Sequence, residues 1–324
     1  MEKSMINEKI PVIAVLGPTA TGKTALSIRI AQEMNGEVIS ADSMQVYRGM
    51  DIGTAKPGRE ERKGIAHHLI DVVDPTTKFD LSEYVKCAHI AASDINSRNK
   101  IPVVTGGTGL YIDTFLRNIS CDKMDTDPQI RQDLIQRANE RGGRNLLDSL
   151  YEMDRETAQR LHENDIKRIV RALEVCISTN KPYSAWIKES SRYDSPYNIC
   201  YIGLMYLDRT RLYDRIDLRV DQMIKDGLVN EAKELFEAGL DKRHTAMQAI
   251  GYKELFLYFK GEVSLLDAVT SIKRESRRYA KRQMTWFGKN KDIRWIQVDT
   301  CRSTGDVYEK ALEIIRSHTI IHQI

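Results

Sequence analysis

The sequence predicts an α/β fold in which helices flank a parallel β-sheet. Two short apolar runs rich in β-branched residues, "PVIAVL" at 11–16 and "IPVVTGG" at 101–107, alternate with segments of helical periodicity. Such runs are typical of strands that are buried on both faces of a parallel sheet. The alternation of strands and helices indicates a doubly wound core.

The first strand leads directly into a glycine-rich loop. Residues 17–24, "GPTATGKT", match the pattern Gly, four residues, Gly-Lys-Thr. Apolar residues at helical spacing follow from Lys23 and stop at Asn35-Gly36. Strand, loop and helix in this order are the context that a phosphate-binding loop requires. We therefore predict a P-loop NTPase-like core.

Further elements continue the alternation along the chain. We predict a strand at 37–40, a helix at 81–97 and another strand at 198–207. After these, apolar residues recur at helical spacing from Leu212 to Leu235. This pattern predicts one long amphipathic helix or two helices joined near Gly227.

The segment from about Cys121 to Tyr197 has a different character. It is rich in charged residues with helical periodicity and carries no strand signal. We interpret it as a small all-helical insertion domain of residues 121–197, within a catalytic core domain formed by residues 1–120 and 198–324.

The composition is that of an ordinary globular protein, with 324 residues, 41% hydrophobic and 29% charged residues. No run approaches the roughly 18 uncharged apolar residues of a membrane span, and the N-terminus shows no leader cleavage site. We therefore expect a cytoplasmic protein with no membrane contact. The five scattered cysteines include no Cys-x-x-Cys pair, which argues against disulfides and zinc. A net charge of +3 is too small to indicate nucleic-acid binding by itself.

The loop chemistry indicates a polyphosphate or diphosphate ligand. Its glycines allow successive backbone N–H groups to point into one concave nest at a helix N-terminus. Lys23 supplies a positive charge to a terminal phosphate, and the Thr24 hydroxyl is placed to bind Mg²⁺.

ATP is not the obvious ligand, because an ATP-hydrolysing site normally holds Mg²⁺ with an aspartate at a strand end. Here the strand near residue 105 runs into Gly106-Gly107-Thr108-Gly109 instead. The strand at 37–40 leads to Asp42, Ser43 and Gln45. A carboxylate beside an amide suits recognition of a purine edge. A metal-binding or helix-capping Asp42 stays open as the alternative.

Two arginines on one predicted helix face are a second phosphate-binding signal. Arg215 and Arg219 are four residues apart, so their guanidinium groups could close over a diphosphate. Pairing with acids of the same helix is an equally good interpretation; these are Asp214, Asp217 and Asp221. The neighbouring His67 and His68 point in different directions on any regular element, so we interpret them as structural rather than as metal ligands.

A basic helix near the C-terminus suggests a phosphate-backbone partner. Six basic residues fall within about half of the helix circumference at about 100° per residue: Lys273, Arg274, Arg277, Arg278, Lys281 and Arg282. A solvated charged face is the plainer interpretation, but Glu275 is the single acid on this face. Nucleic acid is therefore a natural partner.

Seven stretches, in order along nearly the whole chain, carry a family resemblance. They are "GPTATGKT" at 17–24, "ISADSMQVYRGMDIGTAKP" at 39–57, "HHLIDVVDP" at 67–75, "GGTGLY" at 106–111, "NDIKRIVRALEV" at 164–175, "IGYKEL" at 250–255 and "AKRQMTWF" at 280–287. Together they closely resemble the tRNA dimethylallyltransferase family, also called tRNA isopentenyltransferases. No C-terminal Cys/His zinc-finger pattern follows, so the sequence resembles the shorter bacterial form.

The resemblance implies a prenyl transfer from dimethylallyl diphosphate to N6 of the adenosine on the 3′ side of the tRNA anticodon, with Mg²⁺ as cofactor. It implies Asp42 as the general base, with Thr24, Lys23 and Arg219 also catalytic. The donor diphosphate would be bound by Gly17, Thr19, Ala20, Thr21, Gly22, Lys23, Thr24 and Arg215. The tRNA would contact Asp42, Ser43, Met44, Gln45, Thr108, Ile130, Asn164, Asp165, Ile166, Lys167, Arg168, Lys281, Arg282, Gln283 and Trp286.

The same resemblance gives the insertion domain the role of contacting the anticodon stem-loop, and we expect a monomer. Two other functions use the same loop and stay open from the sequence. One is an ATP-dependent small-molecule or nucleotide kinase, and the other is an RNA-binding switch that uses nucleotide only for regulation.

Overall fold

A computed structural model of the chain describes residues 9–120, 127–190 and 193–318. The described residues fall into two compact units, which lie within the bounds Met1–Leu116 with Ser195–Ile324 and Arg117–Asp194. The second unit overlaps the predicted insertion of 121–197. The predicted starting residue of that insertion, Cys121, and the N-terminal segment examined for a leader lie outside the described residues.

The described part of the first unit contains a six-stranded sheet in which all strand pairs are parallel. The strands are β1 (Ile10–Leu16), β2 (Gly36–Ala41), β3 (His67–His68), β4 (Ile101–Gly106), β5 (Tyr197–Met205) and β6 (Arg294–Gln297). Their spatial order is β3-β2-β4-β1-β5-β6. The predicted parallel α/β class is therefore confirmed, while β3 and β6 are strands that the sequence pattern did not reveal.

Helices cover the sheet because each presents an apolar stripe to it. In the first unit they are α1 (Lys23–Glu33), α2 (Leu81–Ser97), α3 (Gly109–Leu116), α8 (Arg209–Lys225), α9 (Leu228–Glu237), α10 (Tyr252–Phe259), α11 (Leu265–Phe287) and α12 (Thr304–Arg316). The chain turns at Gly227, with φ of 105°, so the segment from 212 to 235 forms two helices. Among the described residues no helix is long and apolar enough to span a membrane.

The core of the first unit joins the central strands to α1 and α12. Ile13, Val15, Ile30, Ile202 and Leu312 are among the buried residues that pack together there. Each Å² of apolar surface buried here contributes about 25 cal/mol to stability. This packing holds β1 between β4 and β5. The loop that follows β1 therefore starts from a fixed point.

The described residues of the second unit are helical, as the sequence predicts. The helices are α4 (Pro128–Met153), α5 (Arg155–Ala158), α6 (Ile166–Thr179) and α7 (Tyr183–Ser190). Apolar side chains of α4 and α6 form their own small core, including Leu146, Leu150 and Ile169. Buried Asp154 accepts hydrogen bonds from the backbone and hydroxyl groups of Thr157 and Ser184, which ties α5 to α7.

A buried carboxylate joins three basic side chains near the amino end of β2. Glu37 of β2 accepts hydrogen bonds from Arg98 at 2.7 Å and from Lys100 at 2.7 Å, and His68 lies 2.7 Å away. The Arg98 guanidinium, together with Lys100 and His68, outweighs the effect of burial and holds the pKa of Glu37 well below its usual 4.5. His67 lies 2.9 Å from the Ile65 carbonyl, so both histidines hydrogen-bond within the protein, as the sequence indicates.

We predict that Glu37→Gln lowers the free energy of unfolding at pH 7 by about 2–3 kcal/mol, because an ionised acceptor of several charged hydrogen bonds is lost. The native pKa is depressed, so this stabilisation is complete above the usual pKa of the carboxyl group and is lost as pH falls below it. Urea unfolding from pH 7 to pH 3 measures it: the difference between parent and variant should shrink with acidification. A constant difference would contradict the account.

Candidate active site

The phosphate loop lies between the carboxyl end of β1 and the first turn of α1. Gly17 has φ of 139°, and a side chain there would overlap the Leu204 carbonyl, so only glycine fits. Ala20 and Gly22 also have positive φ, at 65° and 91°. This backbone curves around a cleft of about 930 Å³ whose wall includes Gly22, Lys23 and Thr24.

Lys23 extends back over the loop rather than into solvent. Its Nζ donates to the Pro18 carbonyl at 2.6 Å. Burial, and then repulsion from Arg219, lower the pKa of Lys23 to about 7, while Asp42 opposes the change. An anion bound in the cleft would raise this pKa again and restore the full positive charge.

Both predicted arginines of α8 face the phosphate loop. Arg215 Nε donates to the Ala20 carbonyl at 3.1 Å, and Arg219 Nη1 lies 3.5 Å from Thr19 Oγ1. Two of the three acids that could have paired with them have other partners, since Asp217 binds Arg277 and Asp221 binds Lys273. The structure therefore favours the phosphate-facing arrangement over pairing within α8.

Asp42 follows the carboxyl end of β2, beside the phosphate loop. Its Oδ1 accepts a hydrogen bond from the Met44 backbone N–H at 2.9 Å. Burial raises the pKa of Asp42 above its usual 3.8, although the backbone of Met44 and Gln45 and the charges of Lys23 and Arg219 reduce the shift. A carboxylate with a raised pKa is a better proton acceptor than an ordinary one.

A second cavity of about 260 Å³ opens beside Asp42. Ser43, Met44 and Tyr279 contribute to its wall, with apolar side chains of α8 that include Ile216 and Val220. Thr108 is held nearby because its Oγ1 accepts the Ser43 N–H at 3.1 Å. Arg219 and Met223 line this cavity and the phosphate cleft alike. The two spaces therefore adjoin at these two side chains.

The Gln45 side chain is engaged within the protein. Its Oε1 accepts from Ser40 Oγ at 2.9 Å, and its Nε2 donates to the carbonyl groups of Thr54 and Ala55 at 3.2 and 3.4 Å. The purine-reading interpretation of the amide is therefore not supported by this arrangement, which assigns Gln45 to holding the 54–55 backbone. Ser43 and Met44 do face the cavity.

Helix α11 closes the site from the other side. Buried Gln283 accepts from the Thr19 N–H at 2.9 Å and donates to the Gly107 carbonyl at 3.0 Å. Trp286 Nε1 donates to Asp113 at 2.7 Å. These two residues, predicted from the resemblance to contact tRNA, thus join parts of the core to each other. Lys281 and Arg282 of the same helix are exposed.

The basic face of α11 is less basic than its sequence suggests. Lys273 lies 2.6 Å from Asp221, Arg277 lies 2.5 Å from Asp217, and both acids belong to α8. Arg278 pairs with Glu275 at 2.7 Å. The expectation of six outward charges opposed by one acid is therefore wrong, because two acids of α8, which is distant in sequence, neutralise part of the face.

The predicted residues of the insertion form a separate group within their own unit. Ile130 packs against the small core of that unit. Asn164, Ile166, Lys167 and Arg168 are exposed at the start of α6, with Asp165 at the helix N-cap. A helix N-terminus with two basic side chains is a favourable place for a phosphate group.

Fold and site together define a P-loop α/β protein in which a phosphate-binding loop adjoins a cavity with a half-buried carboxylate. In the described part of the chain no group of three or more His, Cys, Asp or Glu residues is arranged to hold a metal ion. The sequence reasoning missed Tyr279 and Met223 as cavity residues. The spacing of Tyr279 and Met223 in the sequence indicates only that each belongs to an amphipathic helix.

Comparison with known proteins identifies the family. A family model described as IPP transferase matches residues 45–291, and one described as Isopentenyl transferase matches residues 10–74. A tRNA dimethylallyltransferase of Acetivibrio thermocellus is 47% identical, covering 89% of this chain and 92% of that protein. The tRNA dimethylallyltransferase 2 of Geotalea daltonii is also 47% identical, covering 96% of each.

Solved structures agree with these relatives. The tRNA isopentenylpyrophosphate transferase of Bacillus halodurans is 38% identical with a TM-score of 0.72, covering 98% of this chain and all of that one. A eukaryotic dimethylallyltransferase acting on tRNA is 30% identical with a TM-score of 0.81, covering 94% of this chain and 78% of that one. The chain therefore belongs to the family of tRNA dimethylallyltransferases, also named IPP transferases.

We predict that Gln283→Leu lowers the free energy of unfolding by about 2–4 kcal/mol, because the Thr19 N–H and the Gly107 carbonyl lose their partner in a buried place. Exposed Lys281→Ala on the same helix is the matched control. Urea unfolding measures both. A Gln283→Leu variant as stable as the control would mean that the bridge between the two loops does not hold the site together.

Proposed function

We propose that this protein transfers a dimethylallyl group from dimethylallyl diphosphate to N6 of the adenosine on the 3′ side of the tRNA anticodon. The observation that carries the proposal is the adjoining pair of cavities: one is walled by the phosphate loop, the other holds Asp42, and Arg219 and Met223 line both. Family membership supports the same reaction.

On the donor side, the proposed work of the protein is to stabilise a leaving diphosphate. The backbone N–H groups of residues 20–24 would bind its oxygens, while the Thr19 N–H stays on Gln283. Lys23, Arg215 and Arg219 would balance the charge of the diphosphate. Fixed donors of this kind stabilise charge that develops in the transition state without reorganising. In this proposal the phosphate loop binds the product diphosphate rather than ATP, through Gly17 and residues Thr19 to Thr24.

A divalent cation, which we propose to be Mg²⁺, fits the cleft as a companion of the donor. Mg²⁺ usually binds through one or two protein groups together with substrate phosphates. The Thr24 hydroxyl is exposed at the first turn of α1 in the wall of the phosphate cleft, where it would supply one oxygen ligand. The cation would neutralise charge on the departing diphosphate.

On the acceptor side, the exocyclic adenine amine is a weak nucleophile because its lone pair is delocalised into the ring. We propose that Asp42 orients this amine and accepts its proton as the N6–carbon bond forms. The carbon–oxygen bond to diphosphate breaks at the same carbon, and its electron pair leaves with the diphosphate. Ser43, Met44 and Thr108 would border the base.

The base must leave its stack to reach this cavity, which costs least in a loop of the RNA. We propose that Lys281 and Arg282 bind the phosphate backbone near the cavity, and that Asn164 to Arg168 of the insertion bind the anticodon stem-loop. Since tRNA is the proposed acceptor, we place the reaction in the cytoplasm.

The two other functions of a phosphate loop are less well supported. A kinase would have to place a phosphoryl acceptor at the loop, whereas the adjoining cavity is largely apolar and holds a carboxylate of raised pKa. The curated relatives are transferases of prenyl groups by name, which disfavours both the kinase and the non-enzymatic switch.

The assay that tests the proposal supplies unmodified tRNA with labelled dimethylallyl diphosphate or with γ-labelled ATP. We predict prenyl label on the adenosine next to the anticodon and no transfer of phosphate. Asp42→Asn should reduce kcat by a factor on the order of 10²–10⁴ while tRNA affinity stays within a few-fold. The exposed Asp74→Asn serves as control.

In the parent enzyme kcat should fall on acidification at a pH above the usual carboxyl range, because protonated Asp42 cannot accept a proton. Phosphate transfer would establish the kinase function, and tRNA binding without any transfer would establish the switch. A kcat of Asp42→Asn close to that of Asp74→Asn would remove Asp42 from the role of base.

We predict that Lys281→Ala/Arg282→Ala weakens tRNA binding and reduces the slope of log Kd against log salt by about 1.5, since each lost phosphate contact removes about 0.7–0.9. Arg278→Ala is the control, because its charge is already paired with Glu275. Filter binding at salt concentrations from about 50 to about 300 mM measures the Kd and its salt dependence for the double variant and for the control. Equal slopes for the double variant and the parent would exclude these two residues from the RNA interface.

A further inference from the structure

The loop between β2 and β3 forms part of the wall of both cavities. Gly53 and Thr54 line the cavity that contains Asp42. Asp51, Ile52 and Lys56 line the cleft of the phosphate loop. A shift of this short segment, residues 51–56, would therefore change the shape of the donor and acceptor spaces together.

One carboxylate accepts hydrogen bonds from the backbone at the start of this segment. Glu231, in the first half of α9, accepts hydrogen bonds from three successive backbone N–H groups. The N–H groups of Asp51 and Ile52 lie 2.8 Å from its Oε2, and that of Gly53 lies 3.0 Å from its Oε1. Charged acceptors form stronger hydrogen bonds than neutral ones. This arrangement fixes the direction of the backbone at residues 51–53.

Tyr252 completes the same arrangement. Its hydroxyl donates to Glu231 Oε1 at 2.5 Å. Its ring lies against Gly53, where an added side chain would come within 2.5 Å of the ring carbon Cε2, so only glycine fits. Tyr252 begins α10, directly after the residues 249–251 that line the acceptor cavity. Glu231 therefore connects the 51–53 backbone to the acceptor wall.

The far end of the segment is held by other groups. Gln45 Nε2 donates to the Thr54 and Ala55 carbonyl groups, and buried Lys56 donates to the Tyr47 carbonyl and to Asp51 and Asp71. The contacts with Gln45, Tyr47 and Asp71 restrain residues 54–56, and the contact of Lys56 with Asp51 joins the two ends of the segment. Glu231 is the restraint that reaches across from α9, so its loss should release residues 51–53 without unfolding the segment.

We propose that Glu231 is a positioning residue that sets the wall shared by the donor and acceptor cavities. In the described part of the chain it stands behind this wall rather than among the residues that line it. Alignment of the reacting carbon with the amine then depends on Glu231 although it touches neither. The proposal rests on the proposed prenyl transfer.

The test compares Glu231→Ala and Glu231→Gln with the control Glu234→Ala, an exposed residue of the same helix. In Glu231→Ala we expect faster amide hydrogen exchange at residues 51–53 and about a 100-fold loss of kcat/KM for dimethylallyl diphosphate, the size of effect that misplacement by about 1 Å causes. The Kd for tRNA should stay within a few-fold, because distant phosphate contacts dominate it.

Glu231→Gln should recover part of the activity, because its remaining carbonyl oxygen can accept the Asp51 and Ile52 N–H groups. Tyr252→Phe removes one donor and keeps the ring in place, so it should lose several-fold in kcat with the melting temperature little changed. If Glu231→Ala fails to fold, the kcat of Tyr252→Phe tests the positioning role in its place.

Unchanged exchange at residues 51–53 in Glu231→Ala, or kinetics of Glu231→Ala equal to those of Glu234→Ala, would overturn the positioning role. So would a Glu231→Gln variant no better than Glu231→Ala, or a Tyr252→Phe variant with the kcat of the parent. A parent enzyme that transfers no prenyl group would instead refute the proposed function, while the exchange experiment would still decide whether Glu231 holds residues 51–53.

Discussion

The site depends on a group of half-buried opposite charges where the phosphate loop meets the end of β2. Lys23 and Arg219 repel each other, and burial disfavours the charge on both, while Asp42 offsets part of this cost. The same burial raises the pKa of Asp42. A bound polyanion would satisfy the two cations and leave Asp42 free to accept a proton. The electrostatics of the unliganded site thus favour an anion beside a carboxylate of raised pKa.

Parallel strands explain why these groups meet. The carboxyl ends of β1, β2 and β4 lie side by side, and they lead respectively to the phosphate loop, to Asp42 and to the turn before Thr108. Ligand sites of open α/β sheets form at this edge. Helix α11 then fixes the loops relative to one another through Gln283, which binds Thr19 and Gly107. The candidate active site therefore depends on the order of the strands and on the buried side-chain amide of Gln283.

Much of this arrangement is visible in the sequence because it is encoded locally. The apolar runs predicted the central strands, and the loop motif in its strand and helix context predicted the phosphate cleft. Strand β6 was not predicted, because it is only four residues long and lies within a helical region. The partners of Gln45, Gln283, Lys273 and Arg277 were not predictable, since they depend on contacts between distant parts of the chain that no periodicity records. The positioning role of Glu231 was not predictable for the same reason, because the sequence shows it only as one acid of an ordinary amphipathic helix.

The central claim is that the phosphate loop holds the leaving group of a prenyl transfer whose acceptor base enters the cavity of Asp42. A crystal structure with an unreactive thio analogue of dimethylallyl diphosphate and an anticodon stem-loop tests it most directly. The account predicts the diphosphate within hydrogen-bond distance of the backbone of residues 20–24, and an unstacked adenine with N6 beside the Asp42 carboxylate. A diphosphate bound away from this loop, or an adenine outside the cavity, would contradict it.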